Sequence, residues 1–343
     1  MVSGCSSGSQ SEEMRILFND QLVRAEYREN GEEPDGAKIN GAKINGTEIQ
    51  PVTNISAVTG SLIGFLVATG QNLSGSAFNP SKLTGVLDPS GEAQVEIAGY
   101  QQVVQAGLPT MDSYLVIDPV TGESICGRDD TNAPIYAVPM AGLYSLLTGM
   151  PVMSVGMFTF ACRYAALQKC NEYGYPDWDN RLEYQNAPLK TGPSQVRDLA
   201  NYHDACVRMV RADYCGDGQG HTINGTTIDI YDNLNFNTEV TSEDGSDGYY
   251  FEAEWGADGA WCINKTRWQS QSYTGSLANN NDGAKNPDWQ YILDHCPERI
   301  AGNTSKGAAR PCGNSSNYNT SVGYSLATSQ RTLLRNNSRI NRK

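Results

Sequence analysis

Charge, histidine and long apolar runs are all scarce in this chain. Only 18% of its 343 residues are Asp, Glu, Lys or Arg, and only three are His. Basic charge is the scarcer sign, with 25 Lys and Arg against 38 Asp and Glu. The resulting net charge of −13 argues against a nucleic-acid partner, whose phosphates it would repel. No apolar run approaches the roughly 20 residues that a membrane helix needs. The best stretch, residues 55–69, is interrupted by Ser, Thr and Gly and reads as strands. No Cys-x2-Cys pair occurs, which argues against a compact zinc ribbon or finger. What the chain does have is 35 Gly, 18 Tyr and much Asn, Ser and Thr, the make-up of a secreted β-rich protein.

The cysteines point to the same compartment. Val2-Ser3-Gly4-Cys5 resembles a bacterial lipobox, in which a lipid is attached to the cysteine, and Ser6-Ser7-Gly8-Ser9-Gln10 supplies the flexible polar tether such an anchor needs. The basic and apolar leader that ordinarily precedes this motif would have to lie upstream of the sequence as given, since Met1 stands only four residues before Cys5. Setting Cys5 aside leaves an even set: Cys126, Cys162, Cys170, Cys206, Cys215, Cys262, Cys296 and Cys312. Four disulfides formed in an oxidising compartment account for all of them. Their pairing stays open, because eight cysteines allow roughly a hundred connectivities.

Along the chain, residues 1–13 read as the tether and 14–54 as a lead-in. The lead-in carries a short repeat of period five with Ile39, Ile44 and Ile49, resembling the pentapeptide repeats of quadrilateral β-helices. Three such units are too few for a solenoid core. Residues 55–150 form a β-rich domain, with apolar runs separated by Asn79-Pro80, Asp88-Pro89-Ser90-Gly91 and Asp118-Pro119 turn signals, as in a sandwich or small barrel. Residues 151–312 mix helix and strand. Helix formers dominate residues 160–170, and a second helix begins near Pro193-Ser194 and runs to about Tyr214. On the second helix Val196, Leu199, His203, Cys206, Val207, Val210 and Tyr214 trace one face, with Arg208 and Arg211 largely off it. Cys206 is therefore expected in the core. Residues 248–255 and 260–266 suggest a hairpin around Gly256-Ala257-Asp258-Gly259, and residues 289–295 a short helix before Cys296. The tail, 313–343, contains Arg331, Arg335, Arg339, Arg342 and Lys343 with no acid, and reads as a solvated arm or interaction tail. The fold class is α+β: mainly antiparallel β with two core helices, stabilised by disulfides.

The densest chemistry lies in residues 212–221, Ala-Asp-Tyr-Cys-Gly-Asp-Gly-Gln-Gly-His. Cys206 with His203 or His221 has the residue types of a nucleophile and base, but such a pair needs a partly exposed thiolate. Helical phase buries Cys206, so a structural disulfide is the better reading and no catalytic residue is assigned. Asp213, Asp217 and His221 lie close enough in sequence to converge on a divalent cation. The plainer reading makes the three glycines the turn and Asp217 its cap, and no cofactor is expected.

The run Tyr202-His203-Asp204-Ala205-Cys206-Val207-Arg208-Met209-Val210-Arg211-Ala212-Asp213-Tyr214-Cys215-Gly216-Asp217-Gly218 resembles the signature of the ADYC-domain family. Phe158-Thr159-Phe160-Ala161-Cys162 upstream and Phe251-Glu252-Ala253-Glu254-Trp255-Gly256 downstream fit the same pattern. The similarity covers about residues 36–312 and is strongest over 158–268. The resemblance implies a secreted or lipid-anchored envelope protein of a Gram-negative bacterium, in the outer membrane or at the cell surface. It implies no activity. The expected role is structural or binding, with the membrane (through the anchor), a second copy or other envelope components as partners. The alternative is a secreted envelope hydrolase acting on carbohydrate or peptide.

Overall fold

A computed structural model describes residues 28–30, 52–66, 69–87, 91–105, 109–145, 148–152, 158–178, 199–222, 226–232, 236–269, 287–301, 312, 332–339 and 341–342. Cys5, the repeat at 36–50 and the expected start of the second helix lie outside these residues. The chain divides into two compact units. The first comprises Met1–Leu22, Glu33–Leu146 and Met150–Lys169; the second comprises Val23–Glu32, Leu147–Gly149 and Cys170–Lys343.

Among its described residues the first unit has two large antiparallel sheets, beside a short pairing of Leu143–Tyr144 with Pro151–Val152. Strands β1 (Val52–Val58), β2 (Ser61–Leu66) and β3 (Gln71–Ser74) form a three-stranded meander. Strands β4 (Ser81–Leu87), β5 (Gly91–Val103), β6 (Met111–Ile117), β7 (Ala137–Ala141) and β8 (Phe158–Cys162) form the other sheet, paired in sequence order. Alternation along β2 turns Leu62 and Gly64 inward and Ile63 and Phe65 outward. Leu62, Ile55 and Ala57 join Val95, Ile97, Tyr114, Val116 and Phe160 in one apolar cluster, so the two sheets share a core, as in a sandwich. Asp112 is the polar tie within that core. It accepts hydrogen bonds from Ser61 Oγ and from Tyr100 Oη (2.7 Å), while Tyr114 Oη donates to the Gly75 carbonyl at 3.3 Å. Burial, then the neighbouring Asp112 charge, raises the Tyr114 phenol above its ordinary value. Cys126–Cys162 pins the loop after β6 to β8.

Residues 158–162 correct the sequence reading. They form a strand paired with β7 and buried on both faces; helix α1 begins only at Ala166 and ends at Glu172. Helix propensity here yields to the Phe-Thr-Phe pattern, which fills the sheet. In chain order the first unit ends at Lys169, within α1.

The second unit centres on helix α2 (Ala200–Arg211) and a five-stranded antiparallel sheet. The sheet comprises the short strand Arg28–Asn30, then β9 (Thr226–Asp232), β10 (Tyr249–Gly256), β11 (Gly259–Ile263) and β12 (Leu334–Arg339). Helix α3 (Pro287–His295) follows the hairpin β10–β11, which turns at Ala257-Asp258. The C-terminal arm is corrected over residues 334–339: β12 is the middle strand, between β9 and β10, and Arg335, Asn336, Asn337 and Ser338 have no solvent exposure. Arg335 is charge-paired inside the protein with Glu243 and Glu254, so its basic character did not mean solvation.

Candidate functional site

Each residue of the Ala-Asp-Tyr-Cys sequence has a distinct task at the end of α2. Ala212 takes the left-handed conformation (φ 54°, ψ 40°), and its N–H donates to the carbonyls of Arg208 and Met209. Glycine is usual at such a helix end, and alanine carries the smallest Cβ that can substitute. Asp213 is fully buried; its carboxylate pairs with Arg208, lies 3.8 Å from Arg211 and accepts from the Gly218 N–H at 3.0 Å. Arg208 and Arg211, expected off the buried face, are buried as well. The carboxylate two residues beyond the helix is shared between them, and Arg211 also donates to the Gly218 carbonyl at 2.7 Å. Tyr214 stacks on Trp255 with centroids 5.3 Å apart and donates to Glu252 at 3.0 Å. Cys215 bridges to Cys296 at the end of α3, while Cys206 bridges back to Cys170 of α1.

The glycine that follows is required by close approach. A Cβ on Gly216 (φ +73°) would stand 1.9 Å from the Asp258 carbonyl oxygen. Gly259, at φ +107°, supplies the other side of this backbone contact. The corner is thereby pressed onto the turn of the β10–β11 hairpin.

Helix α3 docks against the loop through a short aromatic ladder. His221 lies 4.7 Å from Tyr291 and Tyr291 3.9 Å from His295, centroid to centroid. His221 Nδ1 is 3.3 Å from Asp288 Oδ1, and Tyr291 Oη donates to Asp217 at 2.7 Å. Burial would raise the Asp217 carboxyl, but the Gln219 N–H and the Tyr291 hydroxyl outweigh it and hold it below the usual range. The same contact helps push the Tyr291 phenol up to about 12, after burial.

Beneath the corner lies a sealed ionic core. Arg267 donates to Glu252 at 2.7 Å and to the Met209 carbonyl at 2.8 Å; Lys265 donates to Ser338 Oγ at 2.6 Å. Glu252, Lys265, Arg267 and Ser338 all have zero exposure. Burial lowers the Lys265 amine to about 8, against the pull of Glu252. Burial would raise Glu252, but the charges of Arg267 and Lys265 and hydrogen bonds from Arg267 and Ser338 outweigh it, so its carboxyl titrates below 4.5. A lowered folded-state value means that this carboxylate stabilises the fold above the unfolded value of 4.5 and that the contribution is lost as pH falls through the folded value. Urea midpoints should therefore fall as the pH drops below about 4.5, and Glu252→Gln should flatten that limb. An unchanged slope in the variant would assign the acid limb to other carboxylates.

Asp213, Asp217 and His221 do come within one loop, but each turns to a protein partner of its own. Asp213 Oδ1 and His221 Nε2 are buried and make no hydrogen bond among the described residues. No group of three or more metal-ligating side chains converges among the described residues. Sequence reasoning passed over Glu252, Arg267, Lys265, Asp288 and Tyr291. The available signal was charge inside apolar strands, as in Phe251-Glu252-Ala253-Glu254-Trp255.

A family model described as the ADYC domain matches residues 75–269, more than half of the chain. That span begins at Gly75, upstream of β4, and closes two residues after Arg267. No curated protein and no solved structure matches the chain.

Proposed function

Because the chain belongs to the ADYC-domain family, we propose that it is a lipid-anchored protein of the Gram-negative cell envelope, with the lipid on Cys5 and the ADYC module serving as a rigid structural or binding scaffold. The observation that carries this reading is the bridging of all eight remaining cysteines in four disulfides. An oxidising compartment makes such a framework and the cytosol undoes it. The commitment of Asp213, Asp217 and Tyr214 to internal contacts supports a scaffold over a reaction centre.

A hydrolase of envelope carbohydrate or peptide is the second reading, and the short Lys265–Ser338 contact favours it. A lysine of lowered pKa beside a serine hydroxyl is a known way to activate a nucleophile. Both groups are fully enclosed, however, and a nucleophile must meet its substrate. The scaffold reading is the stronger for that reason.

Metabolic labelling with a fatty acid in the native host tests the anchor. The wild-type protein should carry label and sediment with membranes, while Cys5→Ala should lose the label and pass to the soluble fraction. Thiol titration of the denatured wild-type protein should find almost none free. An unlabelled wild-type protein, or several free thiols, would overturn the proposal.

A further inference from the structure

The edge of the β1–β3 sheet combines three properties that bear on what it meets. The first is charge. The chain is −13 overall, yet it contains no Asp, Glu, Lys, Arg or His between Glu48 and Lys82, the interval that holds all three strands.

The second is a strand with one edge unpaired among the described residues. β3 pairs with β2 and with no other strand among the described residues, and its Gln71, Asn72 and Ser74 side chains are exposed. Soluble proteins ordinarily protect such an edge with lysine, proline, a bulge or a covering segment. Gln-Asn-Leu-Ser supplies no charge and no proline, and its pairing with β2 is regular.

The third is the outward face beside it. Ile63 sits opposite Ser74 and Phe65 opposite Asn72, with exposures of 38% and 36%; Val58 at the end of β1 reaches 44%.

We propose that β3 pairs antiparallel with β3 of a second copy of the chain. The two three-stranded meanders then form one continuous sheet across a two-fold axis. This deepens the binding reading above, on which it rests, by naming a partner. Charge selects that partner. A second copy brings the same −13, so close approach is least opposed along strands that carry no charged side chain, and the strands of this interval carry none. A cationic partner would be drawn to the acidic remainder of the chain instead. An antiparallel edge is self-complementary across a two-fold, which is the geometry of most homodimers. Period-two alternation pairs residues of the same face, and with the two-fold axis at Asn72 that residue meets Asn72 of the other copy.

Sedimentation velocity on the purified full chain over a range of concentration tests this. The wild-type mass should rise from 37.2 kDa toward twice that value. Asn72→Lys and Asn72→Asp, both at an exposed position, should each weaken association by about a hundredfold, since like charges then face each other. An equimolar mixture of the two variants should restore the dimer. A wild-type protein that stays at 37.2 kDa overturns the proposal, as do single variants that dimerise normally or a mixture that stays monomeric. A monomer that floats with neutral phosphatidylcholine vesicles, and is released from them by Asn72→Lys, would assign the face to lipid and likewise overturn it. Absence of a lipid on Cys5 would leave these masses unchanged, so the two proposals fail separately.

Discussion

Deleting residues 332–343 will unfold the second unit. The segment looks like a dispensable basic tail, yet it contributes β12, the strand on which β9 and β10 both pair. Trp255 Nε1 donates to Asn336 at 2.7 Å, Lys265 to Ser338 at 2.6 Å, and Arg335 to Glu254 and Glu243 at 2.6 and 2.7 Å. Removal opens both neighbouring strands and leaves Glu254, Lys265 and Trp255 without these bonds. The combined cost exceeds the roughly 5–15 kcal/mol by which a domain is ordinarily stable. The expected result is loss of the near-ultraviolet signal of the buried tryptophans, with the disulfides of the second unit opening to an added thiol reductant far faster than in the wild-type protein. A truncated chain with wild-type melting and wild-type reduction rates would refute the account.

The single substitution Arg335→Met isolates the electrostatic part. It removes the Arg335 partner of the Glu254 carboxylate, which has zero exposure, and should cost about 3–5 kcal/mol. Replacing both partners, Arg335→Met with Glu254→Leu, should recover much of that loss, because a buried pair is often matched by apolar groups of similar volume. Urea denaturation of the two variants reads the difference.

What the sequence made legible follows from the range of each signal. Helical phase is local, and it placed Cys206 inward correctly, where it bridges to Cys170. The β10–β11 hairpin was also a local matter, marked by glycines at both sides of a two-residue turn. The even set of eight cysteines required no geometry at all. By contrast, the partners of Arg335 lie 81 and 92 positions away, and nothing near residue 335 announces them. A lone charge in a strand reads as a surface residue until its counter-ion is known. The same applies at the candidate site. The loop at 212–221 was visible as a unit, but Asp288 and Tyr291, which decide where His221 and Asp217 turn, arrive from a helix about seventy positions further on. Asp213 was legible as a carboxylate in a glycine loop; its service to Arg208 and Arg211 depends on the left-handed turn at Ala212, which lets the chain fold back on its own helix.

Removing the Cys215–Cys296 bridge by a double alanine substitution should bring the second large loss. The bridge closes a loop across 81 positions, and tying such a loop restricts the unfolded chain by about 4–5 kcal/mol in the chain-entropy account. More depends on it than entropy. It fastens the Ala-Asp-Tyr-Cys corner to the end of α3, whose Asp288 and Tyr291 otherwise hold the loop through two polar contacts. Without the bridge, α3 is held by those contacts, by the burial of Trp289 and Ile292 and by the Arg299 hydrogen bonds to the Tyr214, Asp258 and Ala260 carbonyls just beyond it, and buried single hydrogen bonds contribute only about 1 kcal/mol each. Helix α3 should therefore exchange its amide hydrogens through local opening long before the sheet does. Thermal unfolding should shift downward in the double variant, whereas His221→Gln, which leaves the bridge intact, should cost about 1–3 kcal/mol. Hydrogen exchange on both proteins discriminates the causes: protection lost across residues 287–295 only in the cysteine variant identifies the disulfide as the fastener. Equal loss in both would give that role to the histidine contact, and the corner would then be held by polar geometry in place of a covalent bond.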